Sequence, residues 1–393
     1  MTVERKTPKH IKKREAQHPA SNTRLIQVLE LVPDQRGPSC NFKHPLTTIL
    51  FLTIVCSLCG ANDWEVIVAQ AQAMSSWLSQ YVDITKGIPC VRTFKRTFEI
   101  ICPKEMETML INVMEILREK KKGDVVSFDG KTLRGTSASE KGLKAIHTLN
   151  AWSRENGICI GQVKVDDKSN EITAMPELMS LLDLKGTIIT GDALNTQKET
   201  ARKAVEKGAD YVLPVKGNHP TLKEEIEVLF NEAEQADYKG FDADDYETSE
   251  KAHGRVEIRR YISLDGEDIP SANEWAGMKS VGKVIRERTE KGKTTKETHY
   301  YISSCEIDAK VLEMVTRGHW GVENGLHWSL DVVFKEDKLR YRARNGASNL
   351  STIRKITLGM LSRDKTAKCG REGKRLLAAT DPVYRDKVLK NLF

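Results

Sequence analysis

The sequence predicts an α/β protein in which a mixed sheet with flanking helices and a β insertion follows a small all-helical domain. Three observations carry this. Apolar residues keep helical spacing from Leu25 to about Lys122. At Gly123 the period changes to that of strands. From there the chain reads as three strands and then alternating helices and strands, which suits an antiparallel meander extended by parallel strands through crossover helices.

Residues 1–24 hold seven basic and two acidic side chains with almost no large apolar ones, which predicts a disordered basic arm. Residues 25–122 form the helical domain. Its helices are expected at Leu25–Leu31, Pro45–Cys59, Trp64–Tyr81 behind the cap Asn62-Asp63, Arg92–Ile101 and Lys104–Lys122. Residues 123–345 form the α/β domain. It opens with a strand that Asp129-Gly closes, followed by strands at Ala145–Trp152 and Ile158–Val165 joined by a hairpin turn at 154–157. A helix at Thr173–Leu184, a buried strand at Gly186–Asp192, a helix at Thr196–Lys207, a strand at Asp210–Lys216 and a helix at Leu222–Glu234 come next. Residues 223–250 hold eleven acidic and two basic side chains and read as a solvated connection. Alternating runs at Val256–Leu264, Lys279–Arg288 and Thr298–Ser303 predict an antiparallel insertion over about 245–305. Ala309–Thr316 and the segment from Glu323 are helical, and residues 346–393 form a basic helical tail.

With 393 residues, 39% hydrophobic and 30% charged, the chain is long enough for a large core and is not a disulfide-stapled miniprotein. Eight cysteines at irregular spacings read as reduced thiols, and Cys56 and Cys59 lack the further ligands of a zinc site. The apolar run Leu46–Ala61 contains three threonines and a serine and falls short of the ~20 residues that span a bilayer, so a cytoplasmic protein is expected. The net charge of +7 is unevenly spread: residues 338–393 carry fifteen basic and four acidic side chains, and the stretch between the two ends sums to −9. Basic flanks around an acidic body fit phosphate-binding arms on a core that uses carboxylates for another purpose.

Asp129 and Asp192 both end strands, and in the expected topology those strands are neighbours, so the two carboxylates would face each other. Magnesium relieves such repulsion, although Asp before Gly is also ordinary turn chemistry. In Arg317-Gly-His-Trp-Gly-Val-Glu323 and onward, His319, Glu323, His327 and Asp331 recur every four residues, a polar stripe on a regular helix. A zinc site, a solvated face and a helix delivering Glu323 toward the two aspartates all fit that stripe. Trp320 and Trp328 fit either packing or stacking on a flipped base.

The strings FDGKTLRGT, IITGDALNTQ, ADYVLPVKGNHP, HGRVEIRRY and RGHWGVENGLHWSLDVVFKED occur in this order and together resemble the insertion-sequence DDE transposases of the H-repeat-associated type. HPLTTILFLTIVCSLCGANDWE is similar to the domain that precedes the catalytic core in that family. The resemblance covers about residues 25–360. It implies an RNase H-like catalytic domain with Asp129, Asp192 and Glu323 as catalytic and metal-binding residues. It also implies two magnesium ions, replaceable by manganese, and DNA as partner, both the element's terminal inverted repeats and the target. The expected activity is two-metal cleavage at the element ends and strand transfer by a homo-oligomer assembled on DNA in the bacterial nucleoid. An inactive DNA-binding descendant and an RNase H-like nuclease without strand transfer are the alternatives. Related transposases carry Tyr, Arg and Lys where this chain has Thr316, His319 and Leu330, which leaves His319, Arg317 and Lys335 as candidates for steering phosphates. Lys131, Arg134 and Lys216 follow strand ends and are candidates for contacting the scissile strand. Lys338, Arg340, Arg342 and Arg344 alternate with Leu339, Tyr341 and Ala343 as a basic edge for the DNA backbone.

Overall fold

The computed structural model describes residues 23–37, 42–137, 144–165, 170–252 and 254–390, apart from the side chains of His319 and Trp320. The expected basic arm lies outside the described residues except for Thr23, which caps the first helix, and Arg24, which begins it.

Among the described residues, six helices precede the sheet: α1 (Arg24–Glu30), α2 (Leu46–Leu58), α3 (Trp64–Ala73), α4 (Ser75–Leu78), α5 (Val91–Ile100) and α6 (Pro103–Leu117). The apolar run forms α2, a helix buried on nearly every side, which is why it shows no polar face. Asp63 accepts the Val66 N–H at 2.9 Å and starts α3 as its spacing predicts. The helix expected over Trp64–Tyr81 is interrupted at Met74. That expected to reach Lys122 stops at Leu117, where Arg118 turns inward and donates to the Asp183 carbonyl at 2.7 Å.

Strands β1 (Val125–Leu133), β2 (Ile146–Ser153) and β3 (Ile158–Val165) form the antiparallel meander. Helices α7 (Glu171–Leu181) and α8 (Lys198–Glu206) then carry the chain to β4 (Ile188–Gly191) and β5 (Asp210–Val215), which add in parallel beside β1. The order β3-β2-β1-β4-β5 is the RNase H-like arrangement. Helix α9 (Pro220–Gln235) leads into β6 (Ala243–Ala252), β7 (Arg255–Asp265), β8 (Ser280–Glu290) and β9 (Lys293–Ser303). The insertion continues the same sheet, because β9 pairs antiparallel with β5 from Val212↔Ser303 to Val215↔Tyr300. Nor is the acidic run a connection: it supplies most of α9 and the edge strand β6, whose exposed charges discourage further strand pairing.

Helix α10 (Ala309–Val322), a π turn at Glu323–His327 and α11 (Trp328–Val332) follow. Ala309, Leu312 and Val315 of α10 pack on Val125, Ile188, Val212, Tyr261 and Val284, which defines one face of the sheet. The chain closes with α12 (Gly346–Arg363), α13 (Arg371–Thr380) and α14 (Pro382–Lys390). Helix α12 is buried from Gly346 to Leu361, between α2, α5 and α6 on one side and β3 on the other. A basic tail is therefore only part of the description. Arg354, Lys355, Lys374, Arg375 and Arg385 are buried and donate to internal acceptors such as Asn62 O, Gln162 Oε1, Leu361 O, Ser57 O and Ala378 O. Their charges hold the fold and do not face a phosphate backbone. Among the described residues, no helix is long and apolar enough to cross a membrane.

Candidate active site

The parallel pairing of β1 with β4 ends at Phe128↔Gly191. Beyond that pair β1 continues with β2 alone to Leu133, while the other chain leaves the sheet at Asp192. Asp129 and Asp192 thus stand at the point where the two strands part, side by side as the topology predicts. Asp192 caps a short 3₁₀ turn, Ala193–Asn195, and its Oδ1 accepts from the Asn195 backbone N–H at 3.0 Å and from Asn195 Nδ2 at 2.8 Å.

Asp129 alternates with Val125 and Ser127, so its side chain lies on the face that α10 covers. Glu323 begins the π turn at the end of α10 and is exposed. The Asp129 carboxyl is pushed up to about 7, first by burial and then by the negative charge of Glu171, with Asp192 and Glu323 adding to it and the Gly130 N–H opposing. His327 Nδ1 lies 3.5 Å from Asp129 Oδ2.

The π turn changes the expected stripe. Its wider turn rotates the residues that follow, so His327 meets Asp129 while Asp331 takes the Lys131 ammonium at 2.7 and 2.8 Å. Among them, Glu323, His327 and Asp331 do not converge on one point. Gly325 lets this turn lie against β2, where a Cβ would come within 2.4 Å of the Trp152 ring. Trp328 is 55% exposed, which excludes core packing as its role. Trp320 and His319 fall outside the described side chains.

The chemistry of the donors suits a hard cation. Among the described residues, no lysine or arginine pairs with Asp129, Asp192 or Glu323. Oxygen atoms surround them, including buried Asn150 Oδ1 opposite Asp129 and Asn195 Oδ1 next to Asp192, neither of which has a hydrogen-bond partner. As they stand, no three His, Cys, Asp or Glu side chains among the described residues are gathered closely enough to hold one ion.

Of the phosphate-contact candidates, Arg134, Lys216, Lys338, Arg340, Arg342 and Arg344 are exposed. Lys216 follows β5 at the same sheet edge as Asp192, and the two loops are tied by Asn218 Nδ2 donating to Ala193 O at 2.7 Å. Leu339 and Tyr341 turn inward, with Tyr341 Oη donating to Lys95 O at 2.9 Å, which leaves the alternate basic side chains outward. Lys131 is buried against Asp331, and Arg317 is engaged by Glu250 and Glu313. Sequence reading missed Glu171, His147 and Asn195. His147 Nε2 lies 2.7 Å from Glu171 Oε1, and Asn195 Nδ2 donates to Glu171 Oε2 at 3.2 Å. The available signal was Asn170-Glu171 opening a helix, which also describes an ordinary capped start.

The sheet thus carries Asp129 and Asp192 at neighbouring strand ends and Glu323 at the end of the helix that covers one of its faces. The transposase DDE domain family matches residues 120–360, its associated N-terminal family matches 26–114, and the chain belongs to the transposase DDE domain family. It is 39% identical over 370 residues to "Putative transposase YncI" of Escherichia coli O157:H7, covering 93% of this chain and 94% of that protein. It is 38% identical over 372 residues to "H repeat-associated putative transposase YhhI" of Escherichia coli strain K12, covering 93% and 97% respectively. Among solved structures it matches a piggyBac transposase synaptic complex with hairpin DNA at a TM-score of 0.42 and 12% identity, over 95% of this chain and 84% of that one.

Proposed function

We propose that this chain cleaves phosphodiester bonds at the ends of an insertion sequence and joins the freed 3′ hydroxyl to target DNA. The observation that carries this reading is the placement of half-buried Asp129 beside Asp192 where β1 and β4 part, a negative centre without a lysine or arginine partner among the described residues. Asp129, Asp192 and Glu323 would hold two magnesium ions, or manganese in their stead. When bound, such ions activate the attacking oxygen and stabilise charge on the phosphate and the leaving oxygen.

The chain's own residues bind and orient the DNA. Arg134, just past the end of β1, and Lys216, just past β5, contact phosphates of the scissile strand; Lys338, Arg340, Arg342 and Arg344 follow the backbone of the duplex. Lys131, bound to Asp331, acts at one remove by tying α11 to β1. Arg317, and His319 on the same helix, contact DNA only after Arg317 leaves Glu250. Bringing two element ends together requires a homo-oligomer, and its substrates are the element's terminal inverted repeats and target DNA.

The test is incubation of the full chain with duplex DNA bearing its own flanking inverted repeat and magnesium or manganese, followed by strand-specific product analysis. Nicked ends and joined products are expected. Asp129→Asn, Asp192→Asn and Glu323→Gln should each lower nicking by roughly 10²-fold or more while end binding in a gel shift stays nearly unchanged. Cleavage without joining would make the protein a nuclease, and binding without cleavage an inactive descendant. Cleavage that persists in all three variants would overturn the assignment of the carboxylates.

A further inference from the structure

The edge that carries Asp129 and Asp192 holds another acid that the proposed reaction leaves without a task. Glu171 opens α7 behind Asn170, whose side chain accepts the Thr173 N–H at 3.3 Å. Along β1 the odd-numbered residues Val125, Ser127 and Asp129 face α10, so Gly130 faces the opposite side. A Cβ on Gly130 would stand 2.2 Å from Glu171 Oε1 and 2.7 Å from His147 Nε2. Glu171 therefore approaches the end of β1 from behind, through space that only glycine leaves open.

Two donors fix this carboxylate. His147 Nε2 donates to Oε1 at 2.7 Å, because an ionised carboxylate can only accept, and the other ring nitrogen meets Thr132 Oγ1 at 2.9 Å. The His147 bond, ahead of burial, holds the Glu171 carboxyl below the usual glutamate range. Asn195 Nδ2 donates to Glu171 Oε2 at 3.2 Å and to Asp192 Oδ1 at 2.8 Å. One amide group spans the two acids.

That bridge determines which way the amide faces. Both acids are acceptors, so the nitrogen must lie between them, and the Asn195 oxygen is left buried without a partner. A buried orphan acceptor is a cost that packing alone would not select, and here it accompanies a fixed orientation of Asp192. Of the acidic neighbours, Glu171 also exerts the largest charge effect on Asp129, ahead of Asp192 and Glu323.

We infer that Glu171 is a positioning residue of the active site: braced by His147, it holds the Asn195 amide against Asp192 and adds negative charge behind Asp129, so that the carboxylates are set for a divalent cation. The inference rests on the proposed reading of the site as cation-dependent. Its readout is manganese binding by the full chain without DNA, followed through the paramagnetic signal of the free ion, alongside thermal unfolding without metal, end binding and nicking.

Glu171→Gln keeps the shape and removes the charge. It should weaken manganese binding about tenfold and lower nicking by a similar factor. Metal-free melting and end binding should stay close to those of the unaltered protein. Asn195→Ala should weaken binding similarly, and the double variant should lose less than the product of the two, because Glu171→Gln removes the charge and Asn195→Ala the amide of one shared bridge. His147→Gln, a milder change, should give a smaller loss of affinity with the same pattern. Unchanged manganese affinity in Glu171→Gln, losses that multiply in the double variant, or a fall in affinity matched by metal-free destabilisation would overturn the inference. If the unaltered chain binds no manganese and nicks nothing, the functional reading falls with it; if it does both and Glu171→Gln behaves identically, only the role of Glu171 falls.

Discussion

Two carboxyl groups, Asp129 and Glu107, are pushed up to about 7, and the causes separate a site from a scaffold. Around Asp129, burial is joined by three acids. Around Glu107, burial acts largely alone: the Lys164 N–H, donated at 2.8 Å, and the charges of Lys355 and Lys104 oppose it, and only Glu177 adds to it. The consequence for stability has a definite sign. A carboxyl whose folded value is raised contributes stability that is fully present below its unfolded value, near 4.5, and is lost as pH rises through about 7. Glu107→Gln keeps an acceptor for Lys164 and removes the titration, so it should equal the unaltered protein near pH 4 and exceed it by up to about 3 kcal/mol above pH 8 in urea unfolding. A constant difference across that range would mean that folding does not shift the Glu107 carboxyl. Asp129 and Asp192 were legible in the sequence because each ends a β-branched or aromatic run at a turn. Glu171 was not, because an acid in the first turn behind Asn is what any capped helix shows, and its importance arises from Gly130 and Asn195, which only the folded chain brings to it.

At the scale of elements, a spacing of four describes a regular helix, and the chain departs from regularity at its most informative segment. The π turn at Glu323–His327 sends His327 to Asp129 and Asp331 to Lys131, so the stripe located the helix correctly and the direction of its side chains incorrectly. Nothing in the local pattern announces a π turn; it follows from how Gly325 seats the helix on Trp152. The insertion was likewise legible as alternating strands, whereas its union with β5 was not, since pairing between distant segments leaves no trace in either one. By contrast, the alternation from Lys338 to Arg344 survives in the fold, with basic side chains outward and Tyr341 anchored beside Lys95 and Glu99. If the four basic residues contact phosphates, their joint replacement by Gln should make the log–log dependence of DNA affinity on salt shallower by roughly 3 to 4, at about 0.9 per contact. Fluorescence anisotropy across a salt series measures this, and an unchanged slope would mean that these residues face solvent even in the complex.

For the molecule as a whole, the helices before the sheet and those after it meet around α12. Its charged and amide side chains made it read as a tail, yet Asn349, Arg354 and Lys355 find acceptors inside. Asn349 Nδ2 donates to Phe98 O at 2.8 Å and Ile101 O at 2.9 Å, Arg354 donates to Asn62 O at 3.1 Å, and Lys355 Nζ donates to Gln162 Oε1 on β3 at 2.5 Å. Gln162 in turn donates to Thr352 of α12 at 3.1 Å. Lys355 is fully enclosed, and burial pulls its ammonium below the usual lysine range. Such a group is tolerable only with its partner, so Gln162→Leu should destabilise the protein by about 3 kcal/mol or more, the typical cost of leaving a buried charge unpaired. The double variant Gln162→Leu with Lys355→Met removes both polar groups and should recover most of that loss. Because α12 touches α2, α5 and α6 as well as β3, the unaltered protein and both variants should unfold in one urea transition by circular dichroism and by tryptophan fluorescence together. Two separated transitions would mean that the helices and the sheet are joined only loosely at α12, and a single Gln162→Leu cost below about 1 kcal/mol would mean that Lys355 is neutral in the fold.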